Sequence, residues 1–85
     1  MKFSNENQEF FLHELGEDSR SNFVNNLGEL LAQTREGIKE CVRVVPSDYE
    51  EYVDVIYNSG YEKRVNIHMD SYMAIIKDVL KAIES

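Results

Sequence analysis

Between Glu50 and Met69 apolar and polar residues largely alternate, and from Tyr72 onward the apolar ones recur at every third or fourth position. The first period marks a half-buried strand and the second an amphipathic helix. Tyr52-Val-Asp-Val-Ile-Tyr57 is β-branched and aromatic, which suits a pleated surface. Asn58-Ser59-Gly60 reads as a three-residue hairpin loop, with Gly60 taking the left-handed position without a Cβ clash. The chain returns as a second strand from Tyr61 to Met69. Pairing Tyr57 with Tyr61 sets Val55 opposite Lys63 and Val53 opposite Val65. Val53, Val55, Tyr57, Val65, Ile67 and Met69 then share one face. Glu50, Tyr52, Asp54, Ile56, Glu62, Arg64, Asn66 and His68 share the other. This register also matches charges across the strands, Asp54 with Arg64 and Glu50 with His68. A loop one residue longer would turn one strand over and lose that match.

Asp70 and Ser71 end the hairpin, and each is able to cap a helix. The helix over 71–84 carries Tyr72, Ile75, Ile76, Val79, Leu80 and Ile83 as one apolar stripe. Lys77 and Lys81 lie off the stripe and toward the negative end of the helix dipole. The short connection makes this stripe and the hairpin's apolar face each other's partners.

The N-terminal half reads as two helices. Ser4 or Asn5 caps the first, Phe10, Phe11 and Leu15 form its apolar side, and Gly16 stops it. Phe10 and Phe11 dock on the core, or serve as an exposed anchor if that helix is loose. Asp18 or Ser19 opens the second helix, which runs to near Gly37. Its stripe is Phe23, Val24, Leu27, Leu30, Leu31 and Thr34. Gly28 weakens it by about 1 kcal/mol relative to alanine, which close packing of a sheet or a partner helix over Gly28 would explain. Ile38 to Val45 switches to a strand, with Val42 and Val44 toward the core and Lys39, Cys41, Arg43 and Val45 away from it. Pro46 ends the strand, and Ser47-Asp48-Tyr49 turns into the hairpin. The expected fold is α+β with the order α-α-β-β-β-α: a three-stranded antiparallel sheet with helices packed on one face. Residues 1–85 form a single domain, with no repeat, low-complexity tract or linker to divide them.

Composition narrows the setting. An apolar share of 42% excludes disorder over most of the length. No run approaches the roughly 20 apolar residues of a membrane span, and the first residues are too polar for a signal peptide. One cysteine makes no internal disulfide, which fits a reducing cytoplasm. The net charge is −7: −4 over residues 1–36, −2 over 37–69 and −1 over 70–85. Such a field repels nucleic acid and anionic membranes and attracts basic partners. It also keeps a small protein soluble.

Catalytic and metal signatures are missing from the pattern. The four glycines are isolated, so there is no phosphate loop, and there is no Cys-x-x-Cys. His13 and Glu17 have the spacing of two metal ligands on one helix, but Gly16 intervenes and no third ligand is evident. Cys41 and His68 make a nucleophile and base only if the fold joins them, with no oxyanion hole or orienting group in view. The expectation is no enzyme, no cofactor and no metal. Nine basic residues without a stripe argue against direct nucleic-acid binding.

The positive feature is acid interleaved with tyrosine. Asp48, Glu50, Glu51 and Asp54 cluster around the turn into the hairpin, beside Tyr49 and Tyr52, and Glu14, Glu17 and Asp18 cluster near the start of the second helix. Tyrosine adds rigid contact area and carboxylates pair with Arg and Lys. In its Asp48-Tyr49-Glu50-Glu51-Tyr52 segment and its hairpin–helix unit ending Asp70-Ser71-Tyr72-Met73-Ala74-Ile75-Ile76-Lys77-Asp78-Val79-Leu80, the chain resembles in overall character the small acidic inhibitors of phages and mobile elements, of the anti-CRISPR and anti-restriction kind. That resemblance implies a cytoplasmic protein, in the host cytoplasm if phage-encoded. It also implies a nuclease or CRISPR effector as target, met by DNA mimicry, wedging or dimerisation. The expected function is thus a non-enzymatic inhibitor that covers a basic nucleic-acid-binding surface on a partner protein. The rival expectation is a structural or regulatory oligomer, paired through the Phe23–Leu31 stripe or a free sheet edge.

Overall fold

The computed structural model describes residues 5–84 of the chain, and the side chains of residues 19–84. The order is α1 (Asn5–Thr34), β1 (Ile38–Ser47), β2 (Glu50–Tyr57), β3 (Glu62–Asn66) and α2 (Tyr72–Glu84). The strands form one antiparallel sheet in the order β1-β2-β3. The fold is α+β, with the two expected N-terminal helices merged into one. Gly16 does not stop α1. A glycine inside a helix costs only about 1 kcal/mol, and no proline or turn cluster stands beside it to break the run.

Val24, Leu27 and Leu31 of α1 are buried against Val53, Val55, Val65 and Ile67 of the hairpin, and against Ile75 and Val79 of α2. Leu30 and Thr34, which the spacing places in the α1 stripe, are exposed. The helix approaches β1 so closely at Gly28 that a Cβ there would sit 2.4 Å from the Cys41 backbone nitrogen. Phe23 and Tyr72 stack with ring centroids 4.6 Å apart, joining the two helices.

The hairpin register is the expected one: Val53 faces Val65, Asp54 faces Arg64 and Val55 faces Lys63. Tyr57 N–H donates to the Tyr61 carbonyl at 2.8 Å, and Gly60 has φ +95°. The return strand is shorter than expected. It ends at Asn66, whose side-chain Oδ1 accepts from His68 N–H at 2.9 Å. Asp70 N–H then donates to the Ile67 carbonyl at 3.0 Å. This turn gives Met69 φ +65° and leaves it 87% exposed, off the core face. His68 therefore does not lie opposite Glu50.

β1 is turned over relative to the expected orientation. Cys41 pairs with Val55 and Arg43 with Val53, so both face the helices, while Val42 and Val44 face away. A register shift between Ile38 and Glu40 lets Ile38 and Cys41 both point inward, three residues apart. Valine in alternation gives no direction by itself, and here close packing at Gly28 and an ion pair at Arg43 decide it. Pro46 falls in a second irregular stretch at the end of this edge strand.

Ser71 caps α2, its Oγ accepting from Ala74 N–H at 3.1 Å. Lys63 runs along the inner face of the sheet and its Nζ donates to the Ala82 carbonyl at 2.8 Å. That places a cation at the negative end of the α2 dipole.

Candidate binding surface

Both helices pack on one side of the sheet, and among the described residues no element covers the opposite side. Cross-strand pairing arranges that open side in rows: Glu40, Ile56 and Glu62; Val42, Asp54 and Arg64; Val44, Tyr52 and Asn66; and Ser47 with Glu50. Four carboxylates, Glu40, Glu50, Asp54 and Glu62, share this face with the guanidinium of Arg64. Val42, Val44, Ile56 and Tyr52 are interleaved with them, each exposed or half-buried, and the Asp54–Arg64 pair lies in the midst of the face.

The aromatic ring and the charges are held in place. Arg64 donates from Nε and Nη2 to the two Asp54 oxygens at 2.7 and 2.9 Å. Its guanidinium carbon stands 4.9 Å from the centre of the Tyr52 ring, a cation–π contact. Hydrogen bonding to Arg64 holds the Asp54 carboxyl below its ordinary range despite partial burial. Tyr52 donates its hydroxyl proton to Glu50 at 3.2 Å, and the Glu50 charge raises the phenol. Ser47 Oγ donates to the other Glu50 oxygen at 3.1 Å and accepts from Tyr49 N–H at 3.3 Å. Asp48 and Tyr49 are exposed in the turn between β1 and β2. Among the described residues, Glu40 and Glu62 have no ion-pair partner.

Of the sequence-derived contacts, Asp48, Tyr49, Glu50, Tyr52 and Asp54 come together on this face and its turn. Glu51 does not. It points to the helix side, is 8% exposed, and is locked between two arginines. Arg20 of α1 donates from Nε and Nη2 to both of its oxygens at 2.8 and 2.7 Å, and Arg43 of β1 donates from Nε to Oε2. Burial drives the Glu51 carboxyl up, but the hydrogen bonds from Arg20 and Arg43 outweigh it and leave it below the ordinary range. Arg20 also donates from Nη1 to the Asp70 carbonyl at 2.8 Å. Glu14, Glu17 and Asp18 lie outside the residues whose side chains are described.

Sequence reasoning missed Glu40, Val42 and Val44 as members of the open face. Their signal was present, since the hairpin register fixes which side of β2 is open, but inverting β1 sent them to the wrong side. Glu62 and Arg64 were on the correct side without being taken as contacts.

Cys41 is buried under Gly28, and burial, followed by the charge of Glu40, pushes its thiol up to about 11. His68 is exposed on the corner after β3. Folded protein treated with iodoacetamide at pH 8 should keep Cys41 unmodified, while denatured protein should react fully; mass spectrometry separates the two. Among the described residues no three His, Cys, Asp or Glu side chains converge as metal ligands. His13 and Glu17 lie outside the described side chains. Among the described residues no helix is long and apolar enough to cross a membrane.

Comparison with protein-family models, with curated proteins and with solved structures gives no match at any of the three levels.

Proposed function

We propose that the protein is a non-enzymatic binding module whose open sheet face covers a basic, nucleic-acid-binding surface on a partner protein. One observation carries this reading: an open face holds Glu40, Glu50, Asp54 and Glu62 against one guanidinium, interleaved with Val42, Val44, Ile56 and a fixed tyrosine. Apolar and aromatic side chains standing among charged ones give a docking patch both contact area and orientation. Carboxylates at the rim steer a cationic partner and set its orientation. A groove built for phosphates offers Arg and Lys in the spacing that such a rim can engage. RNA-guided and restriction nucleases carry grooves of this kind, and are the target class of the inhibitors that the chain resembles.

One of the rival oligomer's two routes is narrowed to the exposed members of the stripe, such as Leu30. Val24, Leu27 and Leu31 of the α1 stripe are buried against the chain's own sheet and are not free to pair with a second copy. Two open faces of the same negative sign also repel each other.

The test is a variant with Glu40→Lys, Glu50→Lys and Glu62→Lys together. These three side chains are exposed, so the fold should tolerate the change, which circular dichroism checks. Affinity for an inhibited nuclease should fall by tenfold or more, about 1.4 kcal/mol, and lose most of its salt dependence. Unchanged affinity and salt dependence would reject the face. Asp54 and Glu51 stay native in this variant because Arg64 in one case, and Arg20 with Arg43 in the other, depend on them.

A further inference from the structure

We propose that the outer edge of β3 pairs with the same edge of a second copy of this chain, antiparallel, about a two-fold axis at Lys63. The backbone phase of the hairpin shows which groups are free. Tyr57 N–H donates to the Tyr61 carbonyl, and Ile67 N–H donates to the Glu51 carbonyl at 2.9 Å. Along β2, Glu51, Val53, Val55 and Tyr57 therefore turn their backbone groups toward β3, where Lys63 and Val65 answer them. Glu62, Arg64 and Asn66 turn theirs outward. Among the described residues, no hydrogen bond engages the outward N–H or C=O of Glu62 or Arg64. Both side chains are exposed. An unpaired edge of this kind is a template for another strand.

The other edge of the sheet is shielded. By the same phase, Cys41 and Arg43 direct their backbone groups outward from β1. Helix α1 stands over that edge, so close that a Cβ on Gly28 would be 2.4 Å from the Cys41 nitrogen. Pro46, further along, has no N–H to offer. Of the two edges, β3 is the one that a new strand reaches.

Charge selects the occupant and the register. Only outward-turned residues exchange hydrogen bonds across the new seam. Glu62 then meets Arg64 of the other copy, or Arg64 meets Arg64, or Arg64 meets Asn66. The first register sets opposite charges side by side on both flanks of the axis, whereas the second opposes like charges. Among the described residues Glu62 has no ion-pair partner within its own chain. Arg64 spends Nε and Nη2 on Asp54 and keeps Nη1 for a further carboxylate. At the axis each Lys63 turns to the helix side, its Nζ tied to the Ala82 carbonyl of its own α2. The axis stands perpendicular to the sheet, so both open faces look the same way, and two three-stranded sheets join into one. The acidic faces then lie side by side, not face to face. The pairing uses backbone groups of the edge and does not depend on the open face meeting a cationic partner.

The experiment is sedimentation of the whole chain at physiological salt, which screens the net charge of −7. Concentration runs from about 1 μM to about 1 mM, with residue-resolved amide exchange at a low and a high value. The mass should rise from 9.9 kDa toward twice that value. The Glu62 and Arg64 amides should exchange about tenfold more slowly in the paired state. Those of Lys63 and Val65, bonded to β2, should stay protected throughout. Glu62→Pro removes an outward N–H that the sheet does not use, and should be monomeric. Glu62→Arg leaves the backbone intact, sets arginine opposite Arg64, and should weaken pairing by about tenfold. A chain that stays at 9.9 kDa up to the highest concentration would overturn the proposal. So would a dimer whose Glu62 and Arg64 amides exchange as fast as in the monomer, or pairing undiminished in Glu62→Arg.

Discussion

Glu51→Ala should cost about 2–3 kcal/mol of folding stability, measured by urea unfolding at pH 7. Glu51 is the common acceptor for Arg20 and Arg43, whose side chains are 23% and 11% exposed. Removing it leaves two guanidiniums partly desolvated with no countercharge. Breaking a fully buried pair from one side costs about 3–5 kcal/mol; the partial exposure of Arg20 admits water and lowers that figure. The loss should be reported by three elements at once, because Arg20 reaches from α1 to β2 and to the corner before α2. Glu51→Gln keeps the shape but not the charge, and should lose roughly half as much. Only once pH has fallen below the depressed folded-state value of Glu51 should the native protein and Glu51→Ala converge, since Glu51 is then protonated in both states of the native chain. A Glu51→Ala protein as stable as the native one would mean that Glu51 faces solvent after all.

Gly28→Ala should also destabilise, by about 2 kcal/mol or more, although alanine is the better helix former. The propensity gain is about 1 kcal/mol. Against it stands a Cβ placed 2.4 Å from Cys41 N, 2.9 Å from Cys41 Cβ and 3.1 Å from Cys41 Cα. Two of those three atoms are backbone and belong to a strand paired with β2, so β1 or α1 must move as a whole. Overpacking of this kind costs about 1–3 kcal/mol and more when no side chain can yield. The measurement is again the urea midpoint, and a Gly28→Ala protein more stable than the native one would contradict the close approach of α1 to β1.

The two sites share a cause, which also explains what the residues alone did and did not reveal. The hairpin was legible because three local signals agree there: alternation, a glycine at the loop's third position, and the Asp54–Arg64 match. Ser71 and the α2 stripe were legible for the same reason. β1 was not, because its direction is set by contacts distant in sequence. Gly28 admits Cys41, and Arg43 seeks Glu51 eight residues on. Apolar alternation counted Val42 and Val44 as core, when valine sits as readily on a half-open sheet face. Glu51 was misplaced for a related reason. It stands among Asp48, Tyr49, Glu50 and Tyr52 in an acidic run; the alternation that turns Val53 and Val55 inward turns Glu51 inward with them, but nothing local names its partner Arg20, 31 residues earlier. Gly16 failed as a helix stop because glycine ends a helix only where the chain turns left-handed, as Gly37 does with φ +94°.

The acidic surface therefore differs from the linear cluster that the residues suggest. It loses Glu51 to the interior and gains Glu40 and Glu62 from the neighbouring strands. Its members come from all three strands and are gathered by register, not by sequence.

Its role is tested most directly by an NMR titration of the labelled chain with an arginine-rich decapeptide at low and at physiological salt. Shifts should concentrate at residues 40, 42, 44, 52, 54, 56, 62 and 64, and shrink as salt rises. Shifts centred instead on α2 or on the corner around Met69, or none at low salt, would contradict the proposal that the open sheet face is a surface for cationic partners.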